Sequence, residues 1–363
     1  MLGGFTDNGG IGRVTSILAN SLCKDQEYAI YALSFFDTHK QDLYHMEPEI
    51  IRNHLFADPL NMRKAILTGG IKRLKAYLNE NDIDILIACG ALYYPISILA
   101  CRGGKTRCIC WEHSNVSNAK DHSFQLLCRR FGAKNADIVV TLTKHDQKSF
   151  TGEYGIGNVA QIYNPIDEEA IRHVKDYNES SKKILSVGRL SYQKNFELLV
   201  EIAKEILPRN PGWSWDIYGQ GDLKDLLQER IVSYGLESRL TLKGQVGNLY
   251  ELYNDYSMLV MTSRYEGFPM TLLEGMAFGL PLISFDILTG PNEIIRDGEN
   301  GYLIDPFSKE AMIACVNKLI SDSALRANMS KYGKNDCGRF RLDAIEKEWK
   351  MIFNELLRSN GGN

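Results

Sequence analysis

Three features of the sequence predict an α/β protein of two domains built on parallel sheets. Short continuous apolar runs alternate with helical patterns along nearly the whole chain. Those runs form two series separated by a polar stretch. The length, 363 residues, is too great for one ordinary domain and suits two. Buried strands separated by helices argue for parallel sheets covered on both faces, and strand–helix alternation is the α/β signature.

The first series of strands is expected at residues 28–33, 83–88, 106–111 and 137–142. The second is expected at 183–187, 215–218, 240–242, 258–261, 282–285 and 302–304. Between them Asn164-Pro165 is a turn signal, and the stretch that follows as far as Ser181 is polar and charged. An interdomain linker is expected there. A last helix is expected over residues 342–357, with Ile345, Trp349, Ile352 and Leu356 at helical spacing.

Composition narrows the function. Hydrophobic residues make up 44% and charged residues 24%, enough to fill two cores. A net charge of −3 supplies no field for nucleic acid, so no nucleic-acid partner is expected. None of the eight cysteines stands in C-x-x-C spacing, which suggests buried free thiols in a reducing cytoplasm. The opening Met-Leu-Gly-Gly-Phe lacks the basic and long apolar regions of a signal peptide. No apolar run approaches the ~20 residues that span a bilayer. A cytoplasmic protein, at most resting on a membrane surface, is the expectation. The seven histidines show no metal-ligand spacing, and Asp82-Ile83-Asp84 opens a strand, so no metal site is expected.

Four segments carry chemistry. In the run from Ser263 through Glu266-Gly267-Phe268-Pro269-Met270-Thr271 to Glu274, a strand passes through a glycine turn into a helix. Pro269 suits the first helical position, and the helix should end at Gly279. Free N–H groups and the positive helix end near Phe268 to Thr271 suit a phosphate, and Glu266 and Glu274 could hold sugar hydroxyls. The bland alternative makes both acids ordinary helix residues. In Val187-Gly188-Arg189-Leu190-Ser191-Tyr192-Gln193-Lys194-Asn195, Arg189 and Lys194 follow a strand and could hold a diphosphate; a solvated basic loop is the alternative. In Asn8-Gly9-Gly10-Ile11-Gly12, a glycine-rich turn opens a helix and lets backbone approach a ligand, with no acidic residue to complete a dinucleotide fingerprint. In Trp111-Glu112-His113-Ser114-Asn115, His113 could orient a sugar or an acceptor, or be a satisfied structural residue.

In combination and order, these residues resemble glycosyltransferase family 4. The most specific pieces are Gly188-Arg189-Leu190 with Lys194-Asn195, Tyr218-Gly219-Gln220-Gly221, Glu266 through Glu274, and Gly290-Pro291-Asn292-Glu293 followed by Asp297-Gly298-Glu299-Asn300-Gly301. The resemblance spans nearly the whole chain. It implies a GT-B fold: two Rossmann-like domains facing across a cleft, residues 1–165 binding acceptor and 166–341 binding donor, with helix 342–357 crossing back to the first. It implies that Arg189 and Lys194 hold the diphosphate, Glu274 the ribose and Glu266 the transferred sugar. Gly188, Gly267, Phe268, Pro269, Met270 and Thr271 would cradle sugar and phosphate, Val246 the base edge. His113 and Gly10 would come from the first domain on closure. It further implies retention of configuration, most often a UDP-sugar donor, and no cofactor or required metal. The chain opens with only Met1 to Phe5 of the expected first strand, as if the start were truncated.

The segments Met62-Arg63-Lys64 and Ile71-Lys72-Arg73-Leu74-Lys75 mix cations with apolar residues at helical spacing. Such a helix could lie on an anionic membrane and bring the enzyme to a lipid-linked saccharide acceptor, or simply have one buried and one solvated face. Other functional readings are a sugar-nucleotide epimerase on the same fold and a non-catalytic donor-binding subunit.

Overall fold

A computed structural model describes residues 1–3, 5, 10–36, 44–57, 69–115 and 123–358. They form two compact units, Met1–Pro165 with Leu342–Asn363, and Ile166–Arg341. Asn8 and Gly9 of the glycine-rich turn and Met62-Arg63-Lys64 of the basic segment lie outside the described residues.

In the first unit the order is α1 (Gly10–Leu22), β1 (Tyr31–Phe36), β2 (Ile51–Phe56), α2 (Ile71–Glu80), β3 (Ile85–Cys89), α3 (Tyr94–Cys101), β4 (Arg107–Glu112), α4 (Ser123–Asn135), β5 (Ile138–Thr141), α5 (Lys144–Glu153) and β6 (Val159–Gln161). Strands β1 and β2 pair in parallel, as do β3, β4, β5 and β6 in that order. The first residues stitch the two sets together. Leu2 N–H donates to the Ile87 carbonyl at 2.8 Å and the Leu2 carbonyl accepts from Cys89 at 2.9 Å, while Met1 O accepts from Leu33 at 2.8 Å. Leu2 thus bridges β1 and β3 in parallel. Strands β2 and β6 were not expected. The first four residues of β2 are exposed at the sheet edge and β6 has only three, so neither shows an apolar run. Leu33, Phe35, Leu86, Ala88, Cys108, Cys110 and Val139 supply the sheet's share of this core. All eight cysteines are free.

The second unit runs α6 (Glu168–His173), β7 (Lys183–Val187), α7 (Phe196–Ile206), β8 (Ser214–Tyr218), α8 (Lys224–Ser233), β9 (Leu240–Gly244), α9 (Tyr250–Tyr253), β10 (Met258–Met261), α10 (Met270–Ala277), β11 (Leu282–Phe285), α11 (Pro291–Ile294), β12 (Gly301–Ile304), α12 (Lys309–Ser321) and α13 (Ser323–Asp336). Its sheet is wholly parallel, in the order β12-β11-β10-β7-β8-β9. Ile184, Trp215, Ile217, Met258, Val260, Ile283 and Phe285 pack between helices such as α7, which buries Leu199, Ile202 and Ile206.

The polar stretch read as a linker is folded onto this second unit. Asp167 caps α6 by accepting from Glu169 N–H at 3.0 Å. Tyr177 OH donates to the Ser257 carbonyl at 2.7 Å, and Ser181 Oγ to the Asp255 carbonyl at 2.6 Å. Its polarity is that of cap and turn residues, which resembles a linker in sequence.

The last helix, α14 (Leu342–Arg358), belongs to the first unit and buries Ile345, Trp349, Ile352, Phe353 and Leu356. The Trp349 ring meets Trp111 edge-on at 4.8 Å, and Lys350 Nζ lies 2.6 Å from Asp25 just past α1.

Helix α2 turns Leu74 and Leu78 inward. Arg73 lies over the Phe56 ring at 4.6 Å, and Lys75 Nζ donates to the Arg102 carbonyl at 2.8 Å. Lys72 is exposed. Among the described residues no helix is long and apolar enough to cross a membrane. Asp82 and Asp84 share Lys105 Nζ, at 2.7 and 2.9 Å.

Candidate active site

The order of the second sheet reverses between β7 and β10. From β7 the chain winds outward through β8 and β9, and from β10 through β11 and β12. In open parallel sheets, ligands bind outside the carboxyl ends of the strands at such a switch point. The loops after β7 and β10 flank it, and they carry Lys194 and Glu266.

Two loops meet here through backbone and side chain. Thr262 Oγ1 donates to the Lys194 carbonyl at 3.0 Å, and Arg264 N–H to the Gln193 carbonyl at 2.8 Å. Asn195 takes a left-handed turn (φ 55°) just before α7, a conformation Asn tolerates better than most residues. Lys194 Nζ then lies 2.5 Å from Glu266 Oε1. Ser263 Oγ donates to the same oxygen at 2.6 Å, and Gln193 Nε2 stands 3.4 Å from Oε2. Glu266 is 6% exposed, so its charge is held by these donors instead of water. Thr289 Oγ1 donates to the Glu266 carbonyl at 2.5 Å, bracing the loop from the β11 side.

Glycine sets the neighbouring wall. Gly219 has φ +143°, and a Cβ there would stand 1.9 Å from the Gly188 carbonyl oxygen. Only a residue without a side chain lets the loop after β8 lie on the loop after β7. Gly188 N–H donates to the Tyr218 carbonyl and Leu190 N–H to the Gln220 carbonyl, both at 2.9 Å; Gly219 N–H donates to Gly244 O at 2.8 Å. The last bond ties in the β9 loop, on which Val246 is half-buried. Arg189 is exposed and makes no ion pair among the described residues.

Helix α10 opens beside Glu266. Pro269, expected as the first helical residue, is instead its N-cap, and the helix begins one residue later at Met270. The first N–H groups of a helix have no partner within it, so those near Met270 and Thr271, both half-buried, offer donors to an anion. The buried Phe268 ring lies 5.7 Å from that of Phe340. At the far end Gly279 has φ +72°; its N–H bonds to Met276 O, and Leu280 N–H to Gly275 O, a Schellman stop two residues beyond the last helical residue, Ala277. Glu274 is 2% exposed and accepts from Tyr253 OH at 2.7 Å.

The structure thus joins Gly188, Lys194, Glu266, Gly267, Phe268, Pro269, Met270, Thr271 and Glu274 on adjoining loops and one helix. Sequence reasoning passed over Gln193, Ser263, Thr289 and Tyr253. Gln193 and Ser263 lie within quoted segments but were given no role, and Thr289 lies beside one; Tyr253 carries no local signal, because it reaches Glu274 only through the fold.

His113 and Gly10 belong to the first unit. His113 leaves the end of β4, half-buried, with its ring 4.3 Å from that of Trp111. Burial pushes its pKa down to about 3, so the imidazole is neutral at physiological pH. Gly10 is exposed at the first turn of α1.

Residues 8–170 match the family model described as Glycosyltransferase Family 4, and residues 167–336 the one described as Glycosyl transferases group 1. An amylovoran biosynthesis glycosyltransferase of Erwinia amylovora is 30% identical over 361 residues, covering 98% of each chain. A Campylobacter jejuni protein named GalNAc-alpha-(1->4)-GalNAc-alpha-(1->3)-diNAcBac-PP-undecaprenol alpha-1,4-N-acetyl-D-galactosaminyltransferase is 25% identical, covering 96% of each. The fold of Anabaena Alr3699/HepE, solved in complex with UDP and glucose, superposes with a TM-score of 0.81 at 16% identity, covering 98% of each. With both halves of the chain matched and one relative alike from end to end, the chain belongs to glycosyltransferase family 4 and is a glycosyltransferase of the GT-B fold.

Proposed function

We propose that the protein moves a sugar from a UDP-sugar to a lipid-linked saccharide, with retention at the anomeric carbon, at the inner face of a membrane. The observation that carries the reading is the Lys194–Glu266 pair at the switch point, beside the opening of α10. A cation, a carboxylate and free N–H groups are what a sugar diphosphate needs. The names of two similar proteins support the finer points: one names a PP-undecaprenol-linked saccharide, and one was solved with UDP and glucose.

On this reading Lys194 and Arg189 bind the diphosphate and stabilise charge as the sugar–phosphate bond breaks. Glu266 holds hydroxyls of the transferred sugar, with Gly188, Gly267, Phe268, Pro269, Met270 and Thr271 around it. Glu274 holds the ribose, and Val246 lines the base edge. His113 orients the sugar or acceptor, and Gly10 lets backbone approach the donor. The acceptor hydroxyl attacks the face the diphosphate leaves, and the departing phosphate oxygen takes its proton. No enzyme carboxylate becomes glycosylated, because the leaving group is already activated. The cations named fill the charge-neutralising role, so no divalent metal is required.

A panel of UDP-, GDP- and ADP-sugars tests this by nucleotide release. Release from a UDP-sugar is expected, reduced about 10²-fold in both Glu266→Gln and Lys194→Ala. Folded protein that releases nucleotide from no donor would overturn the site. Release confined to GDP- or ADP-sugars would overturn the base, and an inverted anomer in the product would overturn retention.

A further inference from the structure

We propose that the buried Glu112–Arg129 ion pair is a positioning device for His113, acting through the backbone of the loop that His113 begins. The inference rests on the role given to His113 above. Side chains alternate along β4. Trp111 and His113 stand on one side, rings 4.3 Å apart, and Glu112 points to the other. There Arg129 of α4 donates Nε to Glu112 Oε2 at 2.9 Å, and its Nη2 stands 3.5 Å from Oε1. Tyr94, at the start of α3, places its hydroxyl 3.3 Å from Oε2. The carboxylate is therefore fixed from two helices. Its Oε1 then accepts the N–H of Ser114 at 3.1 Å, the residue directly after His113.

Arg129 and Glu112 are 0% and 2% exposed. A buried ion pair stabilises a fold no better than well-packed apolar residues, so stability alone gives no reason for it. Its distinctive property is direction: a planar guanidinium fixes a carboxylate in both position and angle. The His113 ring needs such help. Its Nε2 is buried and meets no hydrogen-bond partner among the described residues. Among the described residues, the Trp111 ring and the backbone are the contacts seen to set where the ring points.

Variants of the full chain test the idea with the nucleotide sugar that the donor panel selects. Glu112→Leu/Arg129→Met removes both charges together, leaving no lone buried charge, and also removes the acceptor for Ser114. Glu112→Gln/Arg129→Met removes the charges but keeps an acceptor. Circular dichroism and melting confirm that each is folded. The first double variant should lose about tenfold or more in kcat with donor KM within about twofold. Adding His113→Ala to it should cost nothing further, because residues that act through one another are not additive. The second, which keeps an acceptor for Ser114 but loses the guanidinium that fixes it, should fall between the first and wild type in kcat. Wild-type kcat in the folded Leu/Met variant, or losses that multiply with His113→Ala, would overturn the proposal. If His113→Ala alone leaves turnover unchanged, the role of His113 itself falls. A substrate-free readout stands beside these: the His113 imidazole NMR signal should be single and sharp in wild type, and broadened or multiple in the Leu/Met variant. One sharp signal in both would also overturn it.

Discussion

His113 illustrates how one residue ties stability to pH. Its ordinary pKa is 6.5, and burial lowers it to about 3. Below pH 6.5 the unfolded chain binds a proton that the folded chain refuses, so this group's contribution is constant above pH 6.5 and turns against the fold as pH falls from 6.5 towards 3. His113→Gln stays neutral throughout and should lose less stability than wild type between about pH 7 and about pH 4, read as urea midpoints. Parallel acid limbs in the two proteins would show that the imidazole is not held neutral. Glu266 and Lys194 differ: their charges are paired within the protein, so removing one leaves the other buried without its partner. Variants there need a melting curve beside every activity.

At the scale of elements, the site is a stack of strand-end loops, and glycine decides how closely they stack. Gly219→Ala would drive a methyl into the Gly188 carbonyl, 1.9 Å from where its Cβ must stand. It should weaken donor binding by tenfold or more and lower Tm by several degrees, a loss of about 1–3 kcal/mol. Unchanged donor affinity by calorimetry would mean that the two loops move independently. These elements were legible in the sequence to very different degrees. Strand β10 is a continuous apolar run, and β7 and β11 are apolar runs each interrupted by one buried serine, because both faces of a parallel sheet are covered. Strand β2 was invisible, because an edge strand with exposed Arg52, Asn53 and His54 has no apolar pattern. The Glu266 loop was legible because strand, glycine, proline and helix follow in one local order. Its ties to Thr289 and Gln193 were not, since they link residues distant in sequence. Tyr253 on Glu274 and Arg129 on Glu112 were hidden for the same reason.

At the scale of the whole molecule, the first unit is made from two separated pieces of chain. Its closing piece, α14, presses Trp349 into Trp111 and pairs Lys350 with Asp25. Trp349→Ala should cost about 3–5 kcal/mol, because a fully buried indole leaves a cavity. Hydrogen exchange should show the loss in α1 and β4 while β7 and β8 stay protected; equal loss in both units would contradict the assignment of α14 to the first. The same arrangement governs how the protein is born. Chain emerges from the ribosome in order, so the second unit can complete its sheet as soon as it is made. The first unit must wait, with the face that α14 will cover still bare, until translation has passed through all of its neighbour. A premature stop after Arg341 would release a polypeptide with one finished unit and one open, apolar seam. Quality control has a single late event to watch: the arrival of one helix.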